Sequence, residues 1–350
     1  MKEIKVMVVD DSALMRRIIS EMLSNEADIE VIGTAKNGAE LLEKLESEKP
    51  HVITLDVQMP IMNGIDALKE LKKKGINIPV IVLSSVSERD TKLTMECLAG
   101  GAFDFIPKPS GEISLDINKV RDLLIEKIRL AYNQKKLKIE ADKIPVSVIK
   151  ENINTNISQK IRKNFEAIVI AASTGGPKAL FTVITALPKH IGVPVFVVQH
   201  MPAGFTKAFA ERVNDNSDIN VVEAKDGENV VADTVYIAPG GFHMEVWDDK
   251  KIHLNQEPSM HGVRPAADKL FFSAAKVYQG SLISAVLTGM GKDGAMGTAE
   301  IKKSGGVTLA EHSSTCTIYG MPKAAFETGM VDEMLPLQDI PIQVVKLLKR

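Results

Sequence analysis

Short apolar runs that end in a polar residue and lead into an amphipathic helical pattern recur along most of this chain, and that alternation limits what it can fold into. Ile4 to Val9 ends in Asp10-Asp11, His51 to Leu55 in Asp56, Pro79 to Leu83 in Ser84, Ile168 to Ala172 in Ser173, Val193 to Val198 in Gln199-His200, and Leu282 to Leu287 in Thr288-Gly289. Strands alternating with helices build parallel sheets covered on both faces, so the fold class is α/β. Such sheets bind ligands beyond the carboxyl ends of their strands, where each of these polar residues lies. With 350 residues the chain has room for two doubly wound domains, each with its own core.

In the first third, Ser12 caps a helix whose apolar residues Leu14, Ile18, Ile19, Met22 and Leu23 recur at helical spacing. A second strand covers Ile29 to Ala35, Asn37-Gly38 opens the next helix, and the strand Phe103 to Ile106 runs into Pro107-Lys108-Pro109. Asp10, Asp11, Asp56, Ser84 and Lys108 thus gather at carboxyl ends. One such acid alone reads as a helix cap, but the repeated placement points to a site. Three carboxylates in one crevice repel one another without a cation, and a hard divalent ion, Mg2+ with its waters, resolves that repulsion.

Residues 1 to about 125 resemble a two-component receiver domain. The matching motifs are Asp10-Asp11, Leu55-Asp56-Val57-Gln58-Met59-Pro60 with Asn63-Gly64, Ser84, and Lys108-Pro109. The resemblance implies a flavodoxin-like fold with Asp56 as phosphoacceptor. Asp11, Asp56 and the backbone carbonyl of Gln58 would hold Mg2+, with Asp10 acting through water. Ser84 and Lys108 would contact the phosphoryl group, and Phe105 would occupy the aromatic switch position. A carboxylate can attack a phosphohistidine when metal and lysine neutralise the phosphoryl oxygens, so a histidine kinase is the implied phosphodonor.

Val120, Leu123, Leu124 and Ile128 continue a last helix from Lys119 to Leu130. From about Tyr132 to Lys163 the text turns Lys-rich and Asn-rich with little useful periodicity. Residues 126–164 therefore read as a helix end and a flexible linker, with lysines that form a solvated surface.

The stretch from Ala167 to Leu180 begins the remainder. A buried strand ends at Ser173, Gly175 and Gly176 permit a sharp turn, and Pro177 fits the first turn of the next helix. A hydroxyl there stands on a rigid base beside the N–H groups of a helix N-terminus. The same turn could also be an ordinary capped one or a phosphate cradle, although neither P-loop nor dinucleotide spacing is present. A partner base decides, and two later strands supply candidates. His200 follows the strand Val193 to Val198, where an imidazole can give and take a proton near neutrality. Thr288-Gly289-Met290-Gly291-Lys292-Asp293-Gly294-Ala295 can bring Asp293 beneath that imidazole to fix its tautomer. A calcium loop fails because the segment carries one carboxylate. The order Ser173, His200, Asp293 differs from the common hydrolase orders, and Ala171-Ala172-Ser173-Thr174-Gly175 lacks the first glycine of the usual nucleophile elbow. Pro239-Gly240-Gly241-Phe242-His243 and a hairpin over His243 to Leu254, turning at Asp248-Asp249-Lys250, are expected to wall the cleft.

Ala172-Ser173-Thr174-Gly175-Gly176, Gln199-His200-Met201, Ala238-Pro239-Gly240-Gly241 and Leu287 to Ala295 together resemble the chemotaxis protein-glutamate methylesterase family over about residues 165–348. The resemblance implies a phosphoacceptor domain over residues 1–125 and a catalytic domain over 165–350, mostly parallel α/β with a β-hairpin. Ser173 would be the nucleophile, His200 the base and Asp293 its orienter, with the backbone N–H of Met290 in the oxyanion hole and no cofactor for this chemistry. The implied activity is hydrolysis of glutamate methyl esters on methyl-accepting chemotaxis receptors, together with deamidation of receptor glutamines. The unphosphorylated receiver would cover the Ser173 cleft, and phosphorylation of Asp56 would expose it. Ala266 stands in Arg264-Pro265-Ala266-Ala267-Asp268 where the family usually has serine, so no chemistry is assigned there. His243 and His261 read as cleft-lining or structural.

A charged share of 25% and a hydrophobic share of 45% suit a soluble globular protein, and a net charge of -2 argues against general nucleic-acid binding. No apolar run approaches the roughly 20 residues that span a bilayer, so no membrane insertion is expected and the expected compartment is the cytoplasm. Cys97 and Cys316 lack metal-ligand spacing and read as reduced core residues. Two readings from other classes stand against the enzyme: an output domain that binds a nucleotide or partner through its Gly-rich turns, and a DNA-binding output, for which no helix-turn-helix is visible.

Overall fold

Near-continuous apolar runs form the strands and amphipathic runs the helices in a computed structural model that describes residues 3–108, 116–141 and 164–349. Two units divide the chain, Met1–Lys143 and Ile144–Arg350. The first contains β1 (Ile4–Val9), α1 (Ala13–Ser24), β2 (Ile29–Ala35), α2 (Gly38–Lys44), β3 (Val52–Asp56), α3 (Gly64–Lys73), β4 (Val80–Ser84), α4 (Glu88–Gly100), β5 (Asp104–Pro107) and α5 (Asp116–Ala141). The side chains of Ser12, Asn37, Asn63 and Ser87 each accept a backbone N–H in the first turn of the helix they precede. Four helices thus start at defined points just past a strand end. The sheet is wholly parallel in the order β2-β1-β3-β4-β5. The chain reverses its winding between β1 and β3, and the crevice lies there.

Helix α5 runs to Ala141, past the point near Tyr132 where apolar spacing loosens. The text from Asn133 to Ala141 keeps good helix formers, Gln, Lys, Leu, Glu and Ala, so propensity carries the helix where amphipathicity no longer marks it. The linker expected over the following residues lies at 142–163, outside the described residues.

The second unit contains β6 (Ala167–Ala172), α6 (Gly176–Thr185), β7 (Val195–Gln199), α7 (Phe205–Asn214), β8 (Asn220–Glu223), β9 (Thr234–Ile237), β10 (His243–Val246), β11 (Ile252–Asn255), α8 (Ala267–Tyr278), β12 (Leu282–Val286), α9 (Ala295–Lys303), β13 (Val307–Glu311), α10 (Met321–Glu327), β14 (Glu333–Leu335) and α11 (Asp339–Leu348). Seven strands form a parallel sheet in the order β14-β13-β12-β6-β7-β9-β8, while β10 and β11 pair separately as the antiparallel hairpin. β6 is central: Ile168 pairs with Ile283 of β12 on one side and Val195 of β7 on the other. From β6 the chain winds outward to β7 and later returns to β12, so the switch point falls between β6 and β12. Phe196, Phe271, Ala171 and Val286 belong to one fully buried core against the sheet.

Candidate active sites

In the first unit the switch point gathers Asp10, Asp11 and Asp56, whose carboxylate oxygens lie within 4.8 Å of one another. Lys108, just past β5, reaches Asp10 Oδ2 at 2.8 Å and Asp56 Oδ2 at 2.9 Å. Burial, the largest influence, pushes the Asp56 carboxyl up to about 6 despite Lys108, and the Asp10 and Asp11 carboxylates push the same way. Three acids against one lysine leave an excess of two negative charges made entirely of hard oxygen donors, which fits a divalent Mg2+. A cleft of about 400 Å3 lined by Asp11, Gln58 and Asn63 opens beside them. Ser84 is buried at the end of β4, where its hydroxyl accepts from Thr94 Oγ1 at 2.7 Å and shares its proton between the Ser85 carbonyl at 3.1 Å and the Asp90 carbonyl at 3.3 Å. The Gln58 side chain donates to Asp90, and Phe105 is buried in β5.

In the second unit Ser173 leaves β6 on a turn in which Gly175 adopts φ 77°, a left-handed conformation that glycine takes without strain. His200 leaves the adjacent β7, and Asp293 comes from the loop between β12 and α9, so three neighbouring strands direct these residues to one edge. His200 Nε2 lies 2.7 Å from Asp293 Oδ2. That contact leaves Nδ1 as the ring nitrogen not engaged by Asp293, the reverse of the serine-protease arrangement in which aspartate holds Nδ1. Asp293 is buried, which would raise its carboxyl. The hydrogen bond from His200, its charge, and the N–H groups of Asp268 and Ala267 outweigh this and hold the carboxyl below its ordinary value. Ala267 N–H donates at 2.6 Å and Asp268 N–H at 2.9 Å. These are the first two residues of α8, so the helix N-terminus steadies the carboxylate. Among the described residues the backbone N–H of Thr174, directly after Ser173, and that of Met290, in the loop whose Thr288 carbonyl accepts the Ser173 N–H, have no hydrogen-bond partner.

Several supporting residues were not visible from spacing. Gln199 Nε2 donates to the Ser173 carbonyl at 3.0 Å and to the His200 carbonyl at 3.2 Å, tying the two loops together. Thr174 supplies the N–H directly after the serine; its position in an elbow-like turn was the available signal. His243 is fully buried, its Nδ1 accepting the Ala266 N–H and its Nε2 donating to the Pro258 carbonyl. With both nitrogens engaged in these roles its ring is neutral, and burial holds its pKa below the ordinary value. His261 Nε2 pairs with Asp268 Oδ2 at 2.8 Å.

Residues 6–117 match the response regulator receiver domain family, and residues 168–344 match the family described as CheB methylesterase. The fold and its two switch-point sites therefore define a class, response regulators whose output domain is itself a parallel α/β domain. A relative from Clostridium acetobutylicum, named protein-glutamate methylesterase/protein-glutamine glutaminase, is 56% identical over 349 residues, covering 100% of this chain and 99% of its own. One of the same name from Bacillus subtilis is 43% identical and covers 99% of each chain. The solved CheB methylesterase catalytic domain of Thermotoga maritima is 42% identical, with a TM-score of 0.51 over 53% of this chain and 100% of that one. The chain belongs to the CheB methylesterase family. Among the described residues no helix is long and apolar enough to cross a membrane.

Proposed function

We propose that the protein hydrolyses glutamate methyl esters on chemoreceptors in response to phosphorylation, with residues 1–125 as phosphoacceptor domain and 165–350 as catalytic domain. The observation that carries the reading is the part-buried 2.7 Å contact of His200 with Asp293 at the sheet edge that also presents Ser173. Ser173 Oγ attacks the side-chain carbonyl carbon of the methylated glutamate while His200 Nδ1 takes its proton. The oxyanion receives the N–H groups of Met290 and Thr174, and Asp293 stabilises the imidazolium. Collapse breaks the ester C–O bond, and His200 returns the proton to the departing methanol. Water, deprotonated by His200, then hydrolyses the acyl-enzyme and regenerates Ser173. The same route serves a glutamine with ammonia as leaving group, which agrees with the glutaminase name of the relatives.

In the receiver, Asp56 accepts a phosphoryl group from a histidine kinase. Asp11, Asp56 and the Gln58 carbonyl would hold Mg2+, with Asp10 acting through water, and the ion would supply positive charge to offset that of the phosphoryl oxygens. Lys108 and Ser84 contact those oxygens, Ser84 after giving up its bonds to Ser85 and Asp90, and buried Phe105 is the switch aromatic. The compartment that goes with this reading is the cytoplasm. The test is methanol release from methylated receptor, with and without a small phosphodonor and Mg2+. The parent is expected to release methanol, faster with phosphodonor, and Ser173→Ala to release none. Release that survives Ser173→Ala removes Ser173 as the nucleophile. No release under any condition, with no labelling of Ser173 by a fluorophosphonate, turns the reading to a binding module.

A further inference from the structure

Glu311 closes the carboxyl end of β13, two strands from Ser173 in the sheet, and is fully buried. A carboxyl enclosed in a core costs stability unless it is well partnered. Here Oε2 accepts the Thr288 N–H at 2.8 Å, while Oε1 makes no hydrogen bond of good geometry, with the Thr315 hydroxyl and Cys316 thiol near the carboxyl. Its well-formed bond therefore goes to Thr288, and what it holds suggests why it is there. Thr288 is a hub for the turn that carries the nucleophile. Its carbonyl accepts the Ser173 N–H at 3.0 Å. Its hydroxyl donates to the Thr174 carbonyl at 3.0 Å and accepts the Ile318 N–H at 2.9 Å. Two residues further on is Met290.

We infer that Glu311 is a positioning residue for ester hydrolysis: by fixing Thr288 it sets the turn that bears Ser173 and the loop that presents the Met290 N–H, an inference that rests on the hydrolytic reading of Ser173. Burial pushes the Glu311 carboxyl above its ordinary value, which is consistent with a group kept in place for what it accepts rather than for its charge. Reacting groups displaced by a fraction of an ångström lose rate without losing the substrate-binding surface.

The experiment compares Glu311→Gln, which keeps a carbonyl acceptor, with Glu311→Met, which removes it at similar volume, in the full-length protein. Glu311→Met is expected to lower kcat on the order of tenfold or more, with KM within about twofold. Labelling of Ser173 by a fluorophosphonate slows in parallel, and thermal melting shows the variant folded. Glu311→Gln recovers the activity to within about threefold, because its amide oxygen still receives the Thr288 N–H. Parent-like kcat in Glu311→Met overturns the inference, and so does a Glu311→Gln variant as impaired as Glu311→Met. If Glu311→Met does not fold, Glu311→Val, which removes the acceptor at nearly the volume of Glu and suits a strand, is assayed in its place; parent-like kcat there is equally fatal. Absence of Ser173-dependent methanol release in the parent removes the hydrolytic reading itself, whereas its presence beside an unimpaired Glu311→Met removes only the role of Glu311.

Discussion

Asp56 carries its charge in a buried place next to two other acids, and the shift of its carboxyl to about 6 records how unfavourable that is. The folded state therefore holds this proton in a window where the unfolded chain, titrating near 3.8, has lost it. A raised carboxylate contributes stability at low pH that is lost as pH rises through that window. The loss is on the order of 3 kcal/mol for a shift of this size, at about 1.4 kcal/mol per pKa unit. Asp56→Asn removes the charge and is expected to raise the melting temperature of the receiver transition at pH 7.5 in the absence of Mg2+. The gain shrinks toward pH 5, where Asp56 in the parent is itself protonated. Calorimetric melting of both proteins across that range is the check, and a gain independent of pH would mean that burial of the Asp56 charge is not its source. Mg2+ is expected to narrow the gap at pH 7.5 by stabilising only the parent.

At the scale of elements, the site in the second unit depends on two helices that cap each other. Asp293, just before α9, accepts the first N–H groups of α8, and Asp268, in the first turn of α8, accepts the Gly297 N–H of α9 at 2.7 Å. Each acid thus satisfies orphan donors of the other helix and meets its positive end. The loop between β12 and α9 is held as closely at its other end. A methyl group added at Gly289 would lie 2.8 Å from Ser173 Cβ and would also meet the Met321 sulfur. Gly289→Ala is accordingly expected to lower methanol release on the order of a hundredfold through displacement of Ser173. Overpacking of this kind costs about 1–3 kcal/mol of stability, so the protein stays folded. Parent-like release from a folded Gly289→Ala would show that the loop can retreat without disturbing the serine. The alternation of strands and helices, and with it the carboxyl-edge placement of Ser173, His200, Asp293 and the receiver acids, was legible because each sits in a short motif directly after an apolar run. Glu311, Gln199 and Asp268 were not, because their partners lie at backbone groups remote in sequence: Glu311 and Thr288 are 23 residues apart and Gln199 and Ser173 are 26 apart. No local periodicity encodes such a bond. The far end of α5 escaped for a different reason, since propensity without an apolar stripe leaves no pattern to read.

At the scale of the whole molecule, each unit has its own sheet, its own buried core and its own switch-point site, so the two chemistries are separable in principle. The Thermotoga maritima catalytic domain was solved as a chain that this protein covers completely with 53% of its length, which supports residues 164–350 folding by themselves. Regulation then reduces to a free-energy difference between two states of the intact chain, and tenfold activation requires only about 1.4 kcal/mol. If the unphosphorylated receiver represses the esterase, the fragment 164–350 releases methanol faster than the intact unphosphorylated protein, and phosphodonor has no further effect on it. Intact protein treated with phosphodonor and Mg2+ approaches the rate of the fragment, and Asp56→Asn does not respond. A fragment no faster than the untreated intact protein would rule out repression. If intact protein were still stimulated by phosphodonor, the receiver would have to act by promoting the esterase, through tighter engagement of the receptor or a more productive arrangement of Ser173 and His200. These cases separate in the kinetic constants: tighter engagement lowers KM at constant kcat, and rearrangement of the catalytic groups raises kcat at constant KM.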